Sequence, residues 1–318
     1  MSYSNHNVLP ARHLAEQLIA AGKLPWFAEY CIGAERWTTD DRLIAEILSE
    51  GIEQSTAGIV LASEHYEKSF WCLKELMQLD EPVAVLELGK GEHGSSEVTE
   101  RLEAVPAEQI AKYSSEEAAL AHVCGVLGWD PIPWPSVNHT PRAPDFDATT
   151  GWRMKLDGWK YAGLLKTPRG DEVPAFERSF RDYRATLNVL AGPVAGESLP
   201  MEGASIDDRA YRELLISFVR QYSKTIKSPI SGAHLIYVGG RGHFAVSYRR
   251  DSAWIRKYSL NFPLDRDVKQ HRKGDVWEFA VTFAFHGPFE EFCRYAWCFD
   301  RAVETFQWHP ERATFEFA

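Results

Sequence analysis

Sulfur is scarce in this chain of 318 residues: there are five cysteines (Cys31, Cys72, Cys124, Cys293, Cys298) and no Cys-x-x-Cys pair. An odd number without metal-type spacing argues against a disulfide framework and a thiolate zinc site, and predicts reduced thiols in the cytoplasm. No apolar run approaches the ~18 residues that a membrane helix needs. No basic stretch followed by an apolar core opens the chain, which speaks against a secretory signal. Phosphate loops are missing too, because neither Gly89-Lys90-Gly91 nor Gly239-Gly240-Arg241-Gly242 leads into a helical pattern. There is no Gly-x-Ser-x-Gly elbow, and His65 and the other histidines show no ligand spacing, so no metal site is expected.

Positive charge is short in the first part of the chain. Residues 1–128 hold nine Lys and Arg against 21 Asp and Glu, whereas the remainder is close to balance within a formal total of −10. Such an acidic half repels a polyanion, so nucleic-acid binding is unsupported. The basic clusters at Arg249-Arg250 and at 269–273 read as solvated strand ends and loops.

What is present divides in two. Residues 129–150 contain a run with five prolines and neither helical nor alternating periodicity, which predicts an extended linker. It separates a domain at 1–128 from one at 151–318. In the first, a helix is expected over Ala11 to Ala21 and a short strand over Leu24 to Phe27. A helix capped by Thr39 or Asp40 follows, then a buried strand over Ala57 to Ala62 and a helix over Phe70 to Leu79. Another strand is expected over Pro82 to Leu88, and a last one over Gln109 to Tyr113 before a helix at Ser115 to Leu127. Near-continuous apolar strands between amphipathic helices predict an α/β parallel sheet covered on both faces, with ligands at the strands' carboxyl ends.

The second domain is expected to be α+β, an antiparallel sandwich. Two β-rich runs flank the glycine turn at 239–242, and WIRKYSLNF and VWEFAVTFAF are two more. A helix over Arg209 to Ile226 precedes these strands, and a helix over Phe289 to Thr305 follows them.

Within residues 51–76 a strand ending at Ser63 meets a helix that Ser69 can cap. On that helix Trp71 and Glu75 are four apart and share a face, while Phe70, Leu73, Leu76 and Met77 are expected to pack on the sheet. Ser55, Ile59, Val60, Leu61, Ser63, Tyr66, Ser69, Trp71, Cys72, Glu75 and Leu76 fall in the order of the Toll/interleukin-1 receptor (TIR) family's strand, loop and helix. Residues 1–128 thus resemble a TIR domain of flavodoxin-like fold. That family's first strand precedes a segment matched here by Met1-Ser2-Tyr3-Ser4, so the strand is expected to be truncated or encoded upstream. Ser4 and Asn5 stand where NAD-cleaving relatives often carry a basic residue, and Ala28 where the family has Asp.

The resemblance implies an NAD hydrolase (NADase) that cleaves the nicotinamide–ribose bond, with Glu75 as the catalytic residue and NAD as substrate, no cofactor being needed. It implies a substrate pocket from Ser4, Trp26, Phe27, Trp37 and Trp71, in which Trp71 with Trp26 or Phe27 would bound an apolar slot for the flat ring and Trp37 would close over it. The chemistry is consistent with a single carboxylate, because the pyridinium leaves as a neutral base and no general acid is required. A carboxylate beside the ribose would stabilise the oxocarbenium charge. The family also implies self-association that completes the site, and a role as a prokaryotic antiviral-defence effector. Two rivals stay open: a non-catalytic TIR adaptor or scaffold in signal transduction, with Glu75 a surface charge, and an enzyme making a cyclic ADP-ribose signal. Residues 151–318 are similar to the PsbP-like fold, carried by FDRAVETFQW, VWEFAVTFAF and HFAVSYRR. They are expected to sense a trigger or bind a partner protein, and an unrelated α+β domain is the alternative.

Overall fold

The computed structural model describes residues 1–32, 36–80, 82–89, 97–137, 140, 145–147, 150–166, 170, 172–194, 208–226, 228–263 and 276–310. Contacts divide the chain into Met1–Pro135 with Ile206–Ser217, and Ser136–Ser205 with Phe218–Ala318.

The first unit holds strands β1 (Ser2–Tyr3), β2 (Gly58–Ala62), β3 (Val83–Glu87) and β4 (Ile110–Lys112). Its longer helices are α1 (Val8–Ala20), α3 (Asp41–Glu53), α5 (Phe70–Gln78) and α7 (Glu116–Val126). The short α2 (Ala28–Cys31), α4 (Glu64–Glu67) and α6 (Glu97–Glu103) lie between them. The four strands pair in parallel in the order β1-β2-β3-β4.

Every residue of β2 is buried, because alternate side chains feed opposite layers. Ile59 and Leu61 join Ala84 and Leu86 against Leu14, Leu18, Leu120 and Val123 of α1 and α7. Val60 and Ala62 join Val83 and Val85 against Tyr66, Cys72 and Leu76 on the other face. The parallel α/β sheet with helices on both sides is therefore as the sequence implies.

Two local expectations need correction. Leu24 to Phe27 carries no strand ladder. Leu24 is 97% exposed, and the segment meets the sheet through the Met1 ammonium, which donates to the Trp26 carbonyl at 2.9 Å, and through Phe27, which packs in the core. Against a two-residue β1 there is too little backbone for a repeating pattern. On α5, Leu76 and, in part, Leu73 pack on the sheet side as expected, joined by Cys72 and the following Leu79, whereas Phe70 and Met77 are more than half exposed. The helical period carries burial through Cys72, Leu76 and Leu79 and leaves Phe70 and Met77 on the outer flank. Phe70 is instead covered by the Lys74 ammonium, 4.5 Å from its ring centre.

The second unit contains a seven-stranded antiparallel sheet. Its strands are β7 (Lys160–Lys166), β8 (Glu172–Phe180), β9 (Tyr183–Val194), β10 (Ile230–Val238), β11 (Arg241–Arg250), β12 (Ala253–Pro263) and β13 (Val276–His286). They run β10-β11-β12-β13-β9-β8-β7. Strands β5 (Asp145–Asp147), β6 (Trp152–Met154) and β14 (Gln307–Trp308) form a smaller sheet in the order β14-β6-β5, so residues 145–147, within the proline-rich stretch, carry structure of their own. Val238 pairs directly with Arg241, which confines the glycine turn to Gly239 and Gly240. Both have positive φ, 56° and 73°, as a tight hairpin turn requires.

Helix α9 (Phe289–Glu304) lays an apolar face on this sheet, and Phe299 stacks on Phe283 at 4.7 Å. Phe218 of helix α8 (Asp208–Ile226) stacks on Phe244 within this unit. Arg249 and Arg250 are exposed at the end of β11. The basic run at 269–273 and Lys90-Gly91 lie outside the described residues. Among the described residues no helix is long and apolar enough to cross a membrane.

Candidate active site

Tyr3 ends β1, and the chain beyond it turns away, opening a cleft at the carboxyl edge of the sheet. The cleft encloses about 600 Å³, its open mouth included. Its floor and walls come from Tyr3 of β1 and Asn5 after it, from Ala28, Glu29 and Ile32 around α2, from Ile44 and Leu48 of α3, and from Trp71 and Glu75 of α5. Three caps set these elements. Asp40 accepts from the amides of Arg42 and Leu43, Ser69 from that of Cys72, and Ser63 from that of Tyr66. Because Ser69 starts α5 at the cleft, Trp71 and Glu75 project from its first two turns into the same space.

Glu75 is half-buried and held from below. Ser2 Oγ donates to its Oε2 at 2.5 Å and lies 2.8 Å from the Tyr66 hydroxyl. Tyr66 is fully buried and also donates to the Cys72 carbonyl at 3.2 Å. Burial raises the phenol's pKa well above its ordinary value, with the neighbouring Cys72 and Glu75 adding to the effect. A neutral phenol, a serine and a carboxylate are thus strung from the core to the cleft.

A second carboxylate lines the same cleft. Glu29 is 3% exposed and accepts a hydrogen bond from the Tyr3 phenol. Burial pushes its pKa from 4.5 up to about 7, although the Tyr3 bond, its own backbone amide and the Arg12 charge all pull it down; the charge of Glu75 adds to the rise. At the rim, the Arg212 guanidinium pairs with Asp41 and lies 5.5 Å from the Trp71 ring centre.

Of the residues singled out from the sequence, Glu75, Trp71 and Trp37 meet in this cleft. Phe27 is fully buried beside it, stacked on Tyr3 at 5.2 Å and edge-on to Tyr30. Trp26 packs against Gly51 of α3 instead. Ser4 is buried and caps the short helical turn at Asn5–Asn7, accepting from the His6 amide. A second, larger depression between α3 and α5, about 840 Å³ with its open mouth included, shares Leu48, Trp71 and Glu75 but is walled by Ser49, Lys74, Met77 and Gln78. The first cleft is taken as the site because it lies at the strand ends and brings Glu29 together with Glu75.

Sequence reasoning passed over Glu29, Ser2, Tyr3 and Arg212. The only signal for Glu29 was its place just after an apolar run that ends at the sheet's carboxyl edge. Among the described residues no group of three or more His, Cys, Asp or Glu is placed to hold a metal ion.

Comparison with family models matches the TIR domain over residues 30–81. These residues run from α2 through α3, β2 and α5 and so carry most of the cleft. Comparison with curated proteins finds no match. Among solved structures, the solution structure of cyanobacterial PsbP from Synechocystis is similar over 55% of this chain and 96% of its own. The identity is 13% and the TM-score 0.31.

Proposed function

From a chain that carries a TIR domain, we propose an enzyme that cleaves NAD at its nicotinamide–ribose bond, with Glu75 as the catalytic carboxylate. One observation carries the reading: Glu75, Trp71 and Trp37 open onto one cleft at the carboxyl edge of a parallel sheet. Trp71 offers a flat apolar face beside the carboxylate, suited to a nicotinamide ring with its ribose turned toward Glu75. Bond breaking leaves positive charge on the ribose, and the fixed negative charge of Glu75 favours it. Nicotinamide departs as a neutral base, so the site needs no acid for the leaving group.

This reading places the protein in the cytoplasm, where NAD is abundant, and makes association of TIR domains the switch. Residues 151–318 then receive the trigger, in the manner of a defence effector. The test is NAD consumption and nicotinamide release by the full chain at high concentration, wild type beside Glu75→Gln. The variant keeps the shape and removes the charge, so turnover is expected to fall at least ~10²-fold. Equal turnover by the two proteins would remove Glu75 from the chemistry. Self-association without any NAD cleavage would favour an adaptor.

A further inference from the structure

We propose that Glu29 is a second catalytic carboxylate, the base that takes a proton from the water capturing the ribosyl cation. The inference rests on the NAD-cleaving reading of the cleft and extends it to the second half of the reaction. Glu29 and Glu75 line the same space from different elements, α2 and α5. Their settings differ in a way that suits two tasks. Glu75 is tied to Ser2 and stands next to the Trp71 face, where the ring and ribose would lie. Glu29 is sunk into the wall with its Oε2 held by the Tyr3 phenol, which orients the carboxylate.

The chemistry divides accordingly. The C1′–N bond breaks and its electron pair leaves on the nicotinamide nitrogen. A water oxygen then forms the C1′–O bond, one water O–H bond breaks, and that proton passes to Glu29 and on to solvent. The products are nicotinamide, ADP-ribose and one proton. Glu75 faces the cation through both steps and is not required to take the proton.

The groups facing Glu29 are the Tyr3 phenol from β1, Arg12 from α1, Glu75 from α5 and the Met1 ammonium. With them in place it gains and loses a proton near neutrality, as an efficient base at that pH must.

Two reactions separate the roles. Hydrolysis needs a base, whereas exchange of nicotinamide for an added pyridine such as 3-acetylpyridine does not, since the incoming ring nitrogen carries no proton to lose. Both are to be followed against pH in the full chain. Wild-type hydrolysis is expected to fall as pH drops through about 7. In Glu29→Gln, hydrolysis should drop at least ~10²-fold and lose that limb, while exchange persists. Should Glu29→Gln fold poorly, Tyr3→Phe decides: it removes a bond that favours the charged form, so the limb should move to higher pH. Equal loss of both reactions in Glu29→Gln, or retention of hydrolysis with its limb, would overturn the proposal. An unmoved limb in Tyr3→Phe would do the same. Failure of the parent reading looks different: Glu75→Gln would keep both reactions, or the wild-type chain would perform neither.

Discussion

Gly51, near the end of α3, lies against the indole of Trp26, so that a methyl group built on it would come within 2.3 Å of the ring. This contact ties the helix behind the cleft to the segment that leads into Glu29. It also explains why a glycine occupies the body of a helix, where it is ordinarily unfavourable by about 1 kcal/mol relative to alanine.

Gly51→Ala is therefore expected to destabilise the first unit, against the direction of helix propensity. Overpacking of this kind costs about 1–3 kcal/mol, because a rigid indole must move. Denaturant unfolding of the variant beside wild type measures it. A gain in stability would mean that Trp26 yields freely and the contact is loose.

Glu29 makes a prediction about stability that is independent of catalysis. Its folded pKa of about 7 lies above its ordinary value of 4.5, so between these limits the folded chain binds more protons than the unfolded one. Rising pH across that window must then destabilise the fold, by about 3 kcal/mol in all. Glu29→Gln removes the titration. The stability difference, variant minus wild type, should rise by roughly that amount from about pH 4 to about pH 8. A difference that stays flat would place Glu29 in a more solvated setting.

His243 in the second unit carries the opposite sign. Burial pushes its pKa from 6.5 down to about 4, and its Nδ1 accepts from the Asn261 amide at 3.1 Å. Here the unfolded chain binds the extra proton, so the contribution is complete above pH 6.5 and fades toward pH 4, by about 3 kcal/mol. His243→Asn supplies another acceptor but does not titrate. The protection of amides across β11 and β12, taken relative to their intrinsic exchange rate at each pH, should weaken with falling pH in wild type much more than in the variant. Equal weakening in both would exclude His243 as the source.

The legible parts of the molecule were those where one physical signal dominates. β2 and β3 are apolar at nearly every position because both faces are covered, and Gly239-Gly240 announces a hairpin. β7, β8 and β9 escaped notice for the converse reason. β7 has no residue buried, so no alternation marks it. The turn between β8 and β9 is made by Arg181 and Asp182, with Arg181 at φ 51° where glycine or asparagine would have signalled a turn. The cleft was half visible. Trp71 and Glu75 share a helix face, which spacing reveals, whereas Glu29 differs from the surrounding acidic residues only in being buried. Burial of a charged side chain is a property of the packing around it, and sequence carries little trace of that.

The last prediction concerns the support beneath Glu75. Ser2 bonds its carboxylate, and Tyr66 meets Ser2 from the core, so both act on the reaction through position. Ser2→Ala frees the carboxylate with little change in packing, and kcat for NAD cleavage is expected to fall about tenfold or more, since small misplacements of a reacting group can cost up to ~10²-fold. KM should stay near the wild-type value, because neither residue is placed against the ring. Tyr66→Phe should lower kcat in the same way and also cost about 1–2 kcal/mol of stability, as a fully buried hydroxyl with two partners is lost. The pattern that identifies positioning is a kcat loss shared by both variants with a stability loss confined to the second. If Ser2→Ala turned over NAD as fast as wild type, the Ser2 bond would be incidental, and Glu75 would be held by its other surroundings alone.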